Sequence, residues 1–339
     1  MYSMSMRKSL AKSSNTLSTA AFEVIFNFLY GSSFSTVSLK YGLKNVSSYL
    51  KPIKSNITVS LDKIKGAPPL TIPTSLLKKR YSTDRFIAHA GGKIDGRTYT
   101  NSFEALNKSY KDGFRLLELD IIKTADDFYV AAHDWKHWKK ITDYQGNIPP
   151  TKAVFKQSKI YGKYTPLDMD DINQWFKQHS DAILVTDKIN TPKDFSKIFL
   201  DKDRLMMELF TLKAVKEGLR AGIRSAMPSW SVIAKLPETK NNIPQYLQQM
   251  GVTDIAASRR IINSQLSLLT ALRKNNIKVY AFHVNFDKNK DEKYVLCHDM
   301  DYIYGLYADK FNFEAKIDCN YFRDFPLNKL RDIHENRLP

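Results

Sequence analysis

Cysteine is almost missing from this chain: Cys297 and Cys319 are the only two in 339 residues. That excludes a disulfide framework of the kind that holds small secreted domains together. Their spacing fits no structural metal site, and so low a count favours a reduced compartment. A long apolar run is absent too. The best one, residues 20–30, is shorter than the ~20 residues a membrane helix needs, and Glu23 inside it argues against a signal peptide. No zinc-ligand spacing, helix-turn-helix pattern, RNA-binding signature or internal repeat is found. Negative charge is scarce at the start. The first 84 residues hold twelve lysines and arginines against three acidic residues, and so carry nine of the seventeen net positive charges.

What is present is concentrated between residues 85 and 134, as Arg85-Phe-Ile-Ala-His89-Ala-Gly-Gly92, Asn101-Ser-Phe-Glu-Ala105, Leu116-Leu-Glu118-Leu-Asp120 and Val130-Ala-Ala-His133-Asp134. Glu118 and Asp120 stand two apart in an apolar run. Strand side chains alternate, so both carboxylates face one side while Leu117, Leu119 and Ile121 make the other face apolar, as in a buried parallel strand. Two buried carboxylates repel and lose hydration, a cost that a hard divalent cation with oxygen ligands offsets. His89 and His133 each close a short apolar strand, at 86–88 and 128–132. Imidazoles titrate near neutrality, so a pair can take one proton and give another. The plainer alternatives are hydrogen-bonded structural histidines and a solvated acidic face.

These four motifs resemble, in order and spacing, the signature of glycerophosphodiester phosphodiesterases, whose wider group includes phosphatidylinositol-specific phospholipase C. The resemblance spans residues 85 to about 312. It implies a (β/α)8 barrel, with His89 and His133 as general acid and base and with Glu118 and Asp120 as ligands of one divalent cation, Mg²⁺ or Ca²⁺. By the same resemblance Asp187, at the end of Ala182-Ile-Leu-Val-Thr-Asp187, is the third ligand, and residues 278–285 and 300–309 are the seventh and eighth strands. The substrate implied is a glycerophosphodiester, a phospholipid headgroup or a glycerol-phosphate polymer. The chain departs from the family pattern at four places. Ala90 stands where an arginine usually follows the first histidine, Thr100 where a glutamate precedes the asparagine, Lys188 directly after the third acid, and Phe282 where tryptophan is common. Ala90 is the best argument for the alternative, a catalytically weakened barrel that binds such a polymer or headgroup.

Lys93, Arg97 or Lys188 could supply the charge missing at Ala90, and Gly91, Gly92 and Gly96 could bring backbone N–H groups near an anion. Asn101, Glu208 and Asn285 complete the candidate substrate contacts, with Glu208 either facing the cavity or pairing with Arg224 or Arg259. The aromatic-rich segment 135–174 either overhangs the pocket or forms an insertion with a small core of its own. Further along, a strand at 204–210, a helix at 211–221 ending near Gly222, and strands at 224–230, 253–262 and 277–285 give the alternation of an α/β fold. Asn263 is a candidate cap for a helix over 264–274.

The expected organisation is a basic extension and linker (1–84), a phosphodiesterase barrel (85–312) and a terminal helix or tail (313–339). Thr19, Glu23 and Asn27 make one polar stripe, so residues 19–30 read as an interfacial helix on anionic lipid or as part of a hairpin docked on the barrel. Polyanions bind basic surfaces through counterion release. With phosphodiesterase motifs and no recognition motif for nucleic acid, an anionic membrane surface reached through residues 1–65 ranks above nucleic acid as a partner. A cytoplasmic location, free or peripheral on a membrane, follows as the expectation.

Overall fold

The computed structural model describes residues 82–236, 242–315, 317 and 319. The expectations for residues 1–81, and for most of the segment 313–339, lie outside the described residues.

Eight parallel strands form a nearly closed barrel. In chain order β1 is Phe86–Ala88, β2 Leu116–Lys123, β4 Ile183–Asp187, β5 Leu205–Leu209, β6 Ser225–Pro228, β7 Asp254–Ser258, β8 Lys278–Phe282 and β9 Gly305–Ala308; β3, Tyr129–Ala131, lies off the barrel. Hydrogen bonding runs β6-β5-β4-β2-β1-β9-β8-β7, and the ring is completed only by an isolated bridge between Ser229 and Ala256. The interleaved helices are α1 (Phe103–Lys111), α2 (Trp135–Thr142), α3 (Lys152–Gln157), α4 (Met169–Gln178), α5 (Pro192–Ile198), α6 (Leu212–Ala221), α7 (Trp230–Ile233), α8 (Ile243–Met250), α9 (Leu266–Lys274) and α10 (Glu292–His298).

Alternation on the strands divides the core. Ile87, Leu116, Val185, Met206, Met227, Tyr280 and Tyr307 fill the barrel interior. Leu117, Leu119, Leu184, Met207 and Leu209 turn outward and pack with Phe195, Val215, Leu269 and their neighbours between barrel and helices. Each large apolar side chain so removed from water contributes roughly 1.5–3 kcal/mol. Local chemistry starts and stops the helices. Ser102, Asp134 and Thr211 cap α1, α2 and α6 by accepting from the N–H groups of Ala105, His137 and Ala214, and Gly222 ends α6 in the left-handed conformation.

Several boundaries differ from the sequence expectation. β3 is antiparallel to β2 (Ile121 opposite Ala131), so His133 does not end a barrel strand. β2 instead overshoots the rim and the hairpin carries the chain back, until Ala132 N–H donates to the Asp120 carbonyl at 2.9 Å. The strand expected over 253–262 stops at Ser258. Residues Arg259–Ser264 form a 3-10 turn containing Asn263, and α9 starts at Leu266 without a side-chain cap. β8 stops at Phe282, because His283 takes φ +60°. Within residues 135–174, Trp138 and Phe155 build one satellite core with Val130 and Ala132, and Ile141, Ile160 and Tyr164 another with Ile94 and Ala105, while Leu167, Met169 and Ile172 join the main core. Cys297 and Cys319 are joined in a disulfide, which removes the basis for expecting a reduced compartment.

Candidate active site

The cleft lies at the carboxyl rim of the barrel, where (β/α)8 folds carry their chemistry. Strand register assembles its acidic floor. Asp120 on β2 stands opposite Asp187 on β4, and Glu118 lies one inward-facing position below Asp120. Oxygens from all three carboxylates fall within 4.8 Å of one another, and Glu118 and Asp120 are 1% and 2% exposed. Glu118 Oε2 accepts from the Ala90 N–H at 2.6 Å, while Oε1 is buried with no hydrogen-bond partner. Asp120 accepts from Asn101 Nδ2, and its own N–H donates to Asn101 Oδ1, both at 2.9 Å. Lys188 Nζ lies 2.6 Å from Asp187 Oδ2 and 3.5 Å from Asp120 Oδ1. An orphaned carboxylate oxygen within a tight set of three hard oxygen donors fits a divalent cation of the Mg²⁺ or Ca²⁺ type.

The histidines flank this floor. His89, at the end of β1, has Nδ1 3.4 Å from Asp309 Oδ1, and His133 has Nδ1 2.7 Å from Asp134 Oδ2. A carboxylate at Nδ1 fixes that nitrogen as the donor and leaves Nε2 for chemistry. The Tyr99 ring stands between them, its centroid 4.7 Å from that of His89 and 5.0 Å from that of His133. Five non-glycine residues at or beside the site, Ala90, Tyr99, Asn101, Lys188 and His283, have φ between +48° and +69°. L side chains seldom adopt that region, and such strain concentrates where a fold has a side chain to aim.

Electrostatics follow from burial among like charges. Burial, then the charges of Asp120 and Asp187, pushes Glu118 well above the usual carboxylate range. Burial and the Asp187 charge push Glu208 up to about 8. For Lys188 burial opposes the ammonium, but Asp187 and Asp120 outweigh it and raise its pKa. Burial and then the His133 charge lower His137; burial and then Arg260 lower His283. Carboxylate crowding raises Glu118, Glu208 and Lys188, whereas the two histidines are lowered by desolvation and neighbouring positive charge.

His89, Glu118, Asp120, His133, Asp187, Lys188 and Glu208 all line one cleft of about 710 Å³. The remaining sequence candidates are placed elsewhere. Asn101 is fully buried behind Asp120, and it orients that carboxylate. Arg97 stacks on Tyr161, and Asn285 donates to Glu292 and Asp309. Lys93 gives its backbone N–H to the Asp309 carbonyl, and Gly92 gives its own to the His89 carbonyl, so these two groups are already bonded within the protein. Gly92 has φ +90° and a Cβ there would meet Ser109 Oγ, so close packing against α1 requires this glycine. Neither arginine proposed for Glu208 pairs with it: Arg224 donates to the Asp203 carbonyl and Arg259 to Asp287. Sequence reasoning missed Tyr99, Asp134, His137, Phe210, Phe286 and Tyr307 as cleft residues. Only the His133–x3–His137 spacing and the place of Tyr99 two before Asn101 offered a signal.

Fold and site together define a (β/α)8 barrel with an acidic, histidine-flanked pocket suited to one hard cation. No family model matches the chain, and no curated protein sequence matches it. Solved structures do match it. A glycerophosphoryl diester phosphodiesterase from Parabacteroides distasonis aligns with TM-score 0.53 and 14% identity, over 70% of this chain and 87% of that one. A phosphodiesterase from Oleispira antarctica, in complex with the product sn-glycerol-3-phosphate, aligns with TM-score 0.51 and 15% identity over 66% and 92%. A putative glycerophosphodiester phosphodiesterase from Galdieria sulphuraria gives 0.51 and 10% over 71% and 98%. The chain therefore shares the fold of glycerophosphodiester phosphodiesterases. At these identities the fold is what the likeness establishes.

Proposed function

We propose that this chain hydrolyses a phosphodiester, a glycerophosphodiester or phospholipid headgroup in the first instance, with His89 and His133 transferring protons and one divalent cation held by Glu118, Asp120 and Asp187. The observation that carries this reading is the convergence of those five side chains on a single cleft. When bound, the cation, Mg²⁺ or Ca²⁺, supplies positive charge that offsets the anionic phosphoryl group and the charge growing on it in the transition state. The chain's own residues do the rest. One histidine takes the proton of the attacking oxygen at Nε2, while the other delivers a proton to the departing alkoxide, a role worth about 10²–10⁴ in rate for each. Asp309 and Asp134 hold the two rings and stabilise whichever is protonated. Asn101 and the Ala90 N–H fix Asp120 and Glu118 in place. Lys188 tempers the repulsion between Asp187 and Asp120.

The experiment is a panel of glycerophosphodiesters and phospholipids assayed for released glycerol phosphate or headgroup, with Mg²⁺ or Ca²⁺ and with chelator. Turnover that depends on the cation and disappears with chelator is expected. Binding of the same compounds without turnover would replace this reading with that of a binding module, which Ala90 favours.

A further inference from the structure

The cleft is lined by Glu118, Asp120, Asp134, Asp187 and Glu208, with Lys188 as the one lysine or arginine among the described lining residues. That ammonium is already engaged by Asp187 and Asp120. A phosphodiester entering here therefore meets no uncommitted lysine or arginine, and a non-bridging oxygen turned away from the cation would need a neutral donor. Tyr99 is placed to be that donor. Its ring lies edge-on between His89 and His133, of which one must face the attacking oxygen and the other the departing bridging oxygen of the diester. The His137 ring stands edge-on to the Tyr99 ring with centroids 6.4 Å apart, and Tyr99 is held at φ +57°. No hydrogen bond occupies the Tyr99 hydroxyl among the described residues. A phenol is protonated at neutral pH, so towards an anion this hydroxyl donates a hydrogen bond.

We propose that Tyr99 contacts the substrate, its hydroxyl donating a hydrogen bond to a non-bridging phosphoryl oxygen from between the two histidines and doing the work of the cation absent at Ala90. The inference rests on the phosphodiesterase reading, and it makes Tyr99 a catalytic residue rather than a spacer between rings. A donor aimed where charge accumulates strengthens as the transition state forms. Removing it lowers kcat more than it raises KM.

The test compares wild type, Tyr99→Phe and Tyr99→Ala, each loaded with Mg²⁺ or Ca²⁺, on the best diester of the panel and on its two non-bridging phosphorothioate diastereomers. Tyr99→Phe keeps the ring between the histidines. It is expected to lose roughly 10²–10³ in kcat with unchanged cation affinity by calorimetry, and to lose the discrimination between diastereomers that wild type shows. Full activity in Tyr99→Phe with loss only in Tyr99→Ala would make the ring a spacer and overturn the proposal, while leaving the phosphodiesterase reading intact. If wild type turns over nothing, that reading fails separately, and sn-glycerol-3-phosphate binding decides for Tyr99. Weaker binding by Tyr99→Phe than by wild type supports the contact; equal binding, or none by wild type, overturns it.

Discussion

Replacing Asn101 with alanine should injure the site without touching any group that reacts. Asn101 is fully buried, and its amide makes two reciprocal 2.9 Å hydrogen bonds with Asp120, one to the carboxylate and one from the backbone N–H. Its removal leaves the buried N–H of Asp120 unpaired, at about 1–3 kcal/mol, and strips the carboxylate of a charge-assisted bond worth about 1.5–3 kcal/mol. Alanine at φ +48° adds about 1–2 kcal/mol of backbone strain that asparagine tolerates better. With partial relaxation the expected loss is about 3–5 kcal/mol, against the roughly 5–15 kcal/mol that a domain holds in reserve. The variant should therefore fold but melt on the order of 10 °C lower, at about 2–4 °C per kcal/mol for a domain approaching this size. Cation affinity should fall about 10–100-fold, as when a ligand's supporting partner is lost. The assays are thermal denaturation in chelator and isothermal titration with Mg²⁺ and Ca²⁺. A stability change below about 0.5 kcal/mol, within the range of surface substitutions, together with unaltered affinity, would refute the role given to this side chain.

His89→Ala and His133→Ala should each reduce kcat by about 10²–10⁴ with little change in cation binding; wild-type turnover in either variant would remove that histidine from the chemistry. Glu208, raised to about 8 by burial, binds its proton more tightly folded than unfolded. Its contribution to cation-free stability is therefore full below about pH 4.5 and is lost as pH climbs through about 8. Glu208→Gln should flatten the stability profile over that window, by a few kcal/mol at most, in denaturant titrations with chelator; parallel wild-type and variant profiles would contradict the buried-carboxylate account. Cys297 and Cys319 should resist iodoacetamide until reduced and then each take one adduct. Two adducts on unreduced protein would show that the bond is not formed.

The helices were legible where a short-range rule operates. Thr211 with Gly222 bounds α6, and the 277–285 run announced β8, though not its break at His283. The cap at Asn263 failed because a 3-10 turn over Arg259–Ser264, in which Arg259 pairs with Asp287, takes up the residues that a cap would need. Glu118 and Asp120 could be placed on one face from strand alternation alone, and the histidines from the apolar runs they close. That Asp187 stands level with Asp120 depends on the register between β2 and β4, two strands separated by more than fifty residues.

By itself the sequence determined what a period of two or of 3.6 and a few cap residues can encode: an alternating α/β chain whose carboxylates and imidazoles collect at strand ends. Only the tertiary structure decided which of those groups meet. It folded the β2–β3 hairpin back to return His133 to the rim, turned Arg97 and Asn285 to other partners, set Tyr99 between the histidines and paired two cysteines 22 residues apart. The reason is physical. Alternation and capping are short-range interactions written into neighbouring residues, whereas register, hairpin return and cleft electrostatics arise from contacts between distant segments and exist only once the barrel has closed.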